Sequence, residues 1–538
     1  SSSSDGAKGV AAVTTKWKYF RMDPKAFMTM GILKVRFFLA FLRAGFDILC
    51  ADLDVMWLKD PHSYAMGRVP ASSLIAFADV VVSSDVVSGV ADNDAAHWGM
   101  RQEMNTGMLL LRSSPGAVRV CEAWVDRMSL EMVSIAKLPE NMLQWWSNDQ
   151  TFFNEVVMKA PLVPSLQIKS ADGGLREAAA AALRERSPHP ERRATLDAAL
   201  EHLDSLIAVG SAELAAVRGV DFRTTQGVRF SIGTFPFETF ASGHTYFTQS
   251  LQERNGYLPV AVHTTFQFGD TAEFAWGKRS RLREKLLWLV DADSYYEHVG
   301  PGPDPSELKF RGFLQLDGAL LNMAALRSAS PPLRRGHASE SVKVEGYAAF
   351  VDASIEAAGE VLDMPDGPVK HLLLDSFQRR LVHNALALAR AMKRKLIMPP
   401  LRCWSDRYWN ELHEGRFPTV PRQQHPFPFL CPFDHLYDLD KWVHSEVPFR
   451  EYSFLDNPRV SAVNRADAVR IVVSGAPAEE ADAAGRVPES STAPTPRRLE
   501  LHAPARVAQP ALEPAALRGA PHLLRELLAA GGAVRVDL

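Results

Sequence analysis

Several things are scarce in this chain, and each scarcity excludes a class of protein. A strong charge of one sign is absent: 60 Lys and Arg stand against 63 Asp and Glu, a net charge of -3, so no basic surface for nucleic acid is expected. Long apolar runs are absent too. None reaches the roughly 18 residues of a membrane span, the nearest being interrupted by Lys34, Arg36, Arg43 or Asp79. Cysteine is rare, with four in 538 residues, and the spacing of Cys50, Cys121, Cys403 and Cys431 fits no zinc template. Cys50 and Cys121 lie in apolar stretches and read as buried thiols. Cys403 and Cys431, beside Trp404 and Pro432, would bridge in an oxidising compartment, and the sequence leaves that pairing open. The chain opens SSSSDGAKG without Met, which reads as a fragment or processed form; any membrane attachment is expected through an N-terminal anchor outside this chain. No internal repeat is visible.

What is present is an ordinary globular composition, 46% hydrophobic, in a chain too long for one core. ILKVRFFLAFLRA (32–44) has the i, i+3, i+4 apolar spacing of a core-facing helix, with Gly45 as its stop. FDILCADLD reads as a strand apolar on both faces, hence as part of a parallel sheet. ADVVVSSD (78–85) and MNTGMLLLRSS (104–114) read as further strands; 116–133 and the segment around 148–158 read as helices. Strands alternating with helices predict an α/β domain with a mostly parallel sheet over residues 25–300. Within it, residues 171–220 turn Ala-, Arg- and Glu-rich and read as a solvated helical insertion. PGPDP marks a boundary near 300. A second, smaller α/β domain is expected over 301–473, where 371–400 reads as strand, helix and strand. Residues 474–538 read as an Ala/Pro-rich linker to about 520 and a closing helix and strand, and 1–24 as a disordered or truncated N-terminus.

The chemistry concentrates in FDILCADLDVMWLKDP (46–61). Asp52 and Asp54 are two apart in extended chain, so both carboxylates face one side. They would repel each other unless a cation lay between them. At the end of a strand in an α/β sheet, a pair of hard oxygen ligands suits Mn²⁺ or Mg²⁺ together with phosphate oxygens. A strand end whose acids merely cap the next turn would carry the same letters.

The company of the motif narrows the choice. DLDVMWLKDP resembles the Asp-x-Asp-x-x-Trp-Leu-x-x-Pro of glycosyltransferase family 77. SSD (83–85), NTGMLLLR (105–112), NDQTFFNEVV (148–157), SGHTYF (242–247), HTTFQFGDTAEFAWGKRSRLRE (263–284), MPPLRCWSDRYW (398–409), FLCPFDH (429–435) and REYSFLDNP (450–458) follow in the family's order. Together these blocks are similar to the plant and algal branch that extends arabinose chains on extensins. The resemblance implies a GT-A-type, Rossmann-like nucleotide-sugar transferase domain; in the second unit, HNALALARAMKRKLIMPP (383–400) resembles the helix–strand segment of fucosyltransferase-like Rossmann domains, with no second catalytic set evident. It implies a retaining, metal-dependent arabinosyltransferase of the Golgi lumen, a type II membrane protein in full-length form. The cofactor would be Mn²⁺ or Mg²⁺, the donor UDP-L-arabinofuranose, and the acceptor a hydroxyproline-rich glycoprotein.

Residue by residue, the resemblance implies that Asp52, Asp54 and His263 hold the metal, with Asp52 also on the nucleotide side. Lys278 with Gly277 would meet the diphosphate, although KRSRLRE also reads as a plain basic helix start. Asp149 and Gln150 would reach the donor sugar as the catalytic pair, while Asn148 or Asp149 also suits a helix N-cap. Asp85 and Asn105 would line the sugar pocket. His244, in SGHTYF, would shape the floor of the donor site or serve structure alone. In the second unit, Trp404, Asp406, Arg407, Trp409, Asp434 and His435 would form a sugar- or peptide-binding surface or else interdomain packing.

The family expects a first strand and uracil-holding loop upstream of residue 25, and the polar stretch 1–20 is too short for that whole unit. Two alternatives therefore stand beside arabinosyl transfer: pentosyl or xylosyl transfer to a pectic polysaccharide, and a catalytically silent Golgi partner protein.

Overall fold

A computed structural model describes residues 23–68, 71–85, 104–137, 148–166, 177–187, 189–210, 219–236, 238–271, 274–297, 310, 312–316, 368–404, 414–415, 423–424, 428–466, 469–474, 498–502 and 533–537. The N-terminal stretch 1–22 lies outside them, as do Asp406, Arg407 and Trp409.

The first unit is built on a five-stranded sheet. Its strands are β1 (Ile48–Ala51), β3 (Val80–Ser84), β4 (Met104–Leu111), β5 (Asp221–Thr225) and β6 (Val228–Thr234), in the order β1-β4-β3-β6-β5. The sheet is mixed, which corrects the expectation of a mostly parallel one. β4 runs antiparallel between β1 and β3, β5 is antiparallel to β6, and only β3 and β6 are parallel. The expectation failed because apolarity on both faces reports burial on both faces, whichever way a strand's neighbours run.

That double burial follows the period-2 alternation of the strands. Val80, Val82, Leu109, Leu111, Phe230 and Ile232 face a core shared with helices Pro24–Arg43, Pro115–Ile135 and Asp149–Met158. Val81, Met108, Leu110 and Phe222 face the opposite core. Helix Pro24–Arg43 starts at Asp23, whose side chain accepts from the Ala26 N–H at 3.0 Å, and stops at Gly45, whose φ of +93° an L side chain rarely adopts.

The opposite core holds a second correction. Helices Glu177–Arg186 and Pro190–Val209 are not a solvated appendage: Ala179, Ala180, Leu183, Leu196, Leu200 and Leu203 are buried against Phe77, Phe222 and Phe235. Fully burying each leucine is worth roughly 1.5–3 kcal/mol. Arg192 reaches Asp47 at the foot of β1 at 3.0 Å, and Arg186 pairs with the buried Asp79.

A smaller three-stranded sheet sits at the end of β1. β2 (Val55–Trp57) pairs antiparallel with β8 (Ala261–His263), and β8 pairs parallel with β7 (Phe240–Ser242). In this register Val55 lies opposite His263.

The second unit carries a six-stranded, wholly parallel sheet in the order Phe449–Arg450, Lys395–Ile397, Phe313–Leu316, Ala533–Asp537, Val469–Ser474, Arg498–His502. The last strand in sequence thus packs back into the middle of the sheet. Arg498–His502, within the segment expected as linker, is a strand at its edge. Residues 371–392, expected to open with a strand, belong to one helix, Pro368–Met392. Among the described residues no helix is long and apolar enough to cross a membrane.

Candidate functional site: an acidic pair, a histidine and two lysines

The turn from β1 into β2 carries the two aspartates. The Asp52 N–H donates to the Gly107 carbonyl at 2.8 Å, and the Val55 N–H closes back on the Asp52 carbonyl at 3.1 Å. From β8, the Thr264 N–H and hydroxyl both donate to the Asp54 carbonyl, at 3.0 and 2.9 Å. The β2–β8 pairing therefore delivers His263 to the acidic pair across more than 200 residues of chain. His263 Nε2 stands 3.4 Å from Asp54 Oδ1 and 3.9 Å from Asp52 Oδ2, and one ligand atom from each of the three lies within 4.8 Å of the others.

Gly107 explains how the ring fits. A Cβ there would lie 2.1 Å from His263 Cε1 and 2.8 Å from Asn105 Oδ1, so the second residue after Asn105 has to be glycine.

Burial divides the three groups. His263 is 7% and Asp54 19% exposed at the side chain, whereas Asp52 is 47% exposed and faces the open side. Burial opposes ionisation of Asp54, but the hydrogen bond and charge of His263 together with the Lys278 ammonium hold its carboxyl far below the usual range. Lys278 Nζ sits 2.6 Å from Asp54 Oδ2. It comes from helix Trp276–Glu284, where the Gly277 N–H donates to Asp270 Oδ1 at 3.3 Å and a Cβ on Gly277 would strike the Phe268 carbonyl at 2.1 Å.

The catalytic candidates lie beside this cluster. Asn148 caps helix Asp149–Met158, its Oδ1 accepting from the Thr151 N–H at 2.9 Å. The capping role thus falls to Asn148 and not to Asp149. Gln150 Nε2 donates to Asp85 Oδ2 at 3.0 Å, and Asn105 Nδ2 donates to Asp85 Oδ1 at 2.8 Å. Gln150 Oε1 accepts from the Thr106 N–H at 3.3 Å. Three residues far apart in sequence thus form one hydrogen-bonded group. A register shift between Val82 and Ser83, which sets Ser83 opposite Asn105, aims the β3 end towards it.

One participant escaped the sequence reading. Lys34, on helix Pro24–Arg43, reaches Asp149 Oδ2 at 3.2 Å and Asp52 Oδ1 at 3.7 Å, tying the metal-type acids to the catalytic candidate. Burial alone would lower its pKa, but Asp149 and Asp52 outweigh that and the ammonium is held more firmly than usual. The only trace in the sequence is a lysine inside an apolar helix, one turn after Gly31, where a Cβ would come within 3.1 Å of Asp149 Cβ.

His244 stands apart. It is 0% exposed, inside the π-helical turn His244–Thr248, with Nδ1 2.9 Å from Gln249 Nε2 and its ring edge-on to Phe266. The structure places it in packing, with no solvent-facing surface to offer a donor. In the second unit, Trp404, Asp434 and His435 are buried. Asp434 receives the Arg281 Nε–H at 3.0 Å on both oxygens. Asp434 and His435 thus pack against helix Trp276–Glu284 of the first unit, whereas the Trp404 N–H donates to His371 within the second. Cys403 and Cys431 are joined by a disulfide across a pair of short antiparallel strands, with Cα atoms 5.3 Å apart.

Residues 9–282, just over half of the chain, match the family model described as nucleotide-diphospho-sugar transferase. The chain belongs to that family. The nucleotide-diphospho-sugar transferase match ends inside helix Trp276–Glu284, so it contains the acidic pair, His263 and Lys278. Arabinosyltransferase XEG113 of Arabidopsis thaliana is 28% identical over 443 residues, covering 80% of this chain and 49% of that protein. The chain thus spans about half the length of this curated relative. The family assignment and this similarity bear out the resemblance to extensin arabinosyltransferases and the α/β, GT-A-like character of the fold. No solved structure matches significantly.

Proposed function

We propose that this nucleotide-diphospho-sugar transferase is a retaining, Mn²⁺-dependent enzyme of the Golgi lumen. It would transfer L-arabinofuranose from a UDP-sugar to the arabinosides of hydroxyproline-rich glycoproteins. The observation that carries the chemical part is the convergence of Asp52, Asp54 and His263 beside Lys278 and Lys34. The substrate part rests on similarity to a protein named as an arabinosyltransferase.

The donor set fits a divalent cation. Two carboxylates and an imidazole suit Mn²⁺ better than Mg²⁺, and the exposed side of Asp52 leaves room for diphosphate oxygens. When bound, the metal would neutralise the leaving diphosphate. Lys278 would add its ammonium to that charge. Asp85, held on both oxygens by Asn105 and Gln150, would accept from donor-sugar hydroxyls. Asp149, steadied by Lys34, would face the positive charge that develops at the anomeric carbon.

Calorimetric titration of UDP with Mn²⁺ tests this on the chain and on Asp54→Ala. Binding that requires both Mn²⁺ and Asp54 is expected, followed by turnover of UDP-arabinofuranose in preference to UDP-xylose with a hydroxyproline arabinoside acceptor. UDP binding unaffected by either change would refute the metal-site reading, and preferential xylose transfer would move the substrate to the pectic alternative.

A further inference from the structure

The geometry of Lys278 points to a role other than waiting for a phosphate. Its ammonium contacts Asp54 Oδ2 at 2.6 Å, on the carboxylate that also faces His263 from its other oxygen. A cation ligated by Asp54 would therefore meet an ammonium already in contact with its ligand. The helix that carries Lys278 is fixed. Arg281, fully buried, is bonded to both oxygens of Asp434, and Gly277 is packed onto the Phe268 carbonyl with no space for a Cβ. What can move is the side chain alone, four methylenes ending at a site 20% exposed.

The charges of the site point the same way. Three carboxylates, Asp52, Asp54 and Asp149, are matched by two ammonium groups, Lys34 and Lys278, within 3.7 Å. A divalent cation entering alone adds two positive charges next to both lysines. A nucleotide diphosphate entering with it adds the negative charge that can take Lys278 away from Asp54.

We propose that Lys278 is a tethered counter-ion that occupies Asp54 until a nucleotide diphosphate arrives. Divalent cation and nucleotide consequently bind cooperatively, and part of that cooperativity is the release of Lys278. This rests on the functional reading above and adds to it an order of assembly: cation without nucleotide is disfavoured, which limits idle metal loading.

The test is titration of MnCl₂ into the protein, followed by calorimetry and by the electron paramagnetic resonance signal of free Mn²⁺, with and without saturating UDP. The wild type is expected to bind Mn²⁺ more tightly with UDP, by a factor within the roughly 5–150-fold of ordinary coupled sites. Lys278→Met, of similar length and uncharged, is expected to bind Mn²⁺ about tenfold more tightly than the wild type without UDP, and to show a smaller UDP-dependent gain. Lys278→Ala, which removes most of the side chain, is expected to behave in the same way, and thermal melting near the wild type certifies both folds. Mn²⁺ binding to both variants that is no tighter than wild type without UDP would overturn the proposal. If the wild type still bound UDP with Mn²⁺ in that case, the functional reading would survive. Absence of Mn²⁺ binding in all three proteins, with and without UDP, would overturn both.

Discussion

Glu284 offers the sharpest test of how the two units are joined. It closes helix Trp276–Glu284 at 7% exposure, with Oε1 accepting from the Phe433 N–H and the Ser280 hydroxyl, both at 3.1 Å. Burial, and then the neighbouring Asp434 carboxylate, push its pKa from 4.5 up to about 8, against the opposing pull of Phe433 and Arg281. Between those values the folded chain keeps a proton that the unfolded chain has lost. The contribution of Glu284 to stability therefore falls as pH rises from about 4.5 to about 8, and is level beyond. The gap of about 3.5 between those values, at 1.36 kcal/mol per pH unit, gives a loss on the order of 5 kcal/mol. Glu284→Gln keeps an oxygen for Phe433 and cannot ionise. Urea denaturation of both proteins at several pH values should give equal stabilities near pH 4.5 and a variant more stable by a few kcal/mol at pH 8. A difference between the two proteins that stayed constant across this range, or favoured the wild type at high pH, would refute the argument.

Three further outcomes are expected. Gly107→Ala would drive its Cβ into His263 and should cost at least about tenfold in UDP-dependent Mn²⁺ affinity by titration; unchanged affinity would mean His263 is not a ligand. Arg281→Met removes the guanidinium that meets both oxygens of the fully buried Asp434 and should lower stability by about 3–5 kcal/mol in denaturant. Replacing Cys403 and Cys431 by serine opens a bridge between positions 28 apart and should lower stability by about 3–4 kcal/mol on the loop-entropy model. A midpoint unchanged by reductant would contradict that.

The parts of the site legible in the sequence are those written as contiguous motifs. Asp52 and Asp54 share one turn, and Asn148 caps the helix that opens with Asp149 and Gln150. His263 was reached only through the family's blocks, since nothing local to β8 says that Val55 will be its partner. Lys34 was not reached at all. Its role exists only because helix Pro24–Arg43 packs beside the Asp149 helix, which is a tertiary fact. The sheet's mixed direction was hidden for a related reason: strands covered on both sides show the same apolar run whichever way they pair. The insertion misled through composition. Its Arg and Glu content suggested solvent, yet Leu196, Leu200 and Leu203 recur at helical spacing and form a buried stripe.

Helix Trp276–Glu284 ties the acidic pair to the second α/β unit. Lys278, Arg281 and Glu284 are spaced three apart. The first touches Asp54, the second Asp434, and the third the Phe433 N–H. The metal-type site thus receives its lysine from a helix whose position is set by the second unit. That unit shows no second catalytic group among its described residues, and its buried Asp434 and His435 face Arg281 rather than solvent. A carboxylate as deeply buried as Asp434 is costly unless it is paired and hydrogen-bonded, and both of its oxygens are met by Arg281 while the Phe268 N–H adds a third bond at 2.8 Å. Phe268 is also the residue whose carbonyl bounds Gly277. The same few atoms therefore hold the two units together and fix the base of the Lys278 side chain.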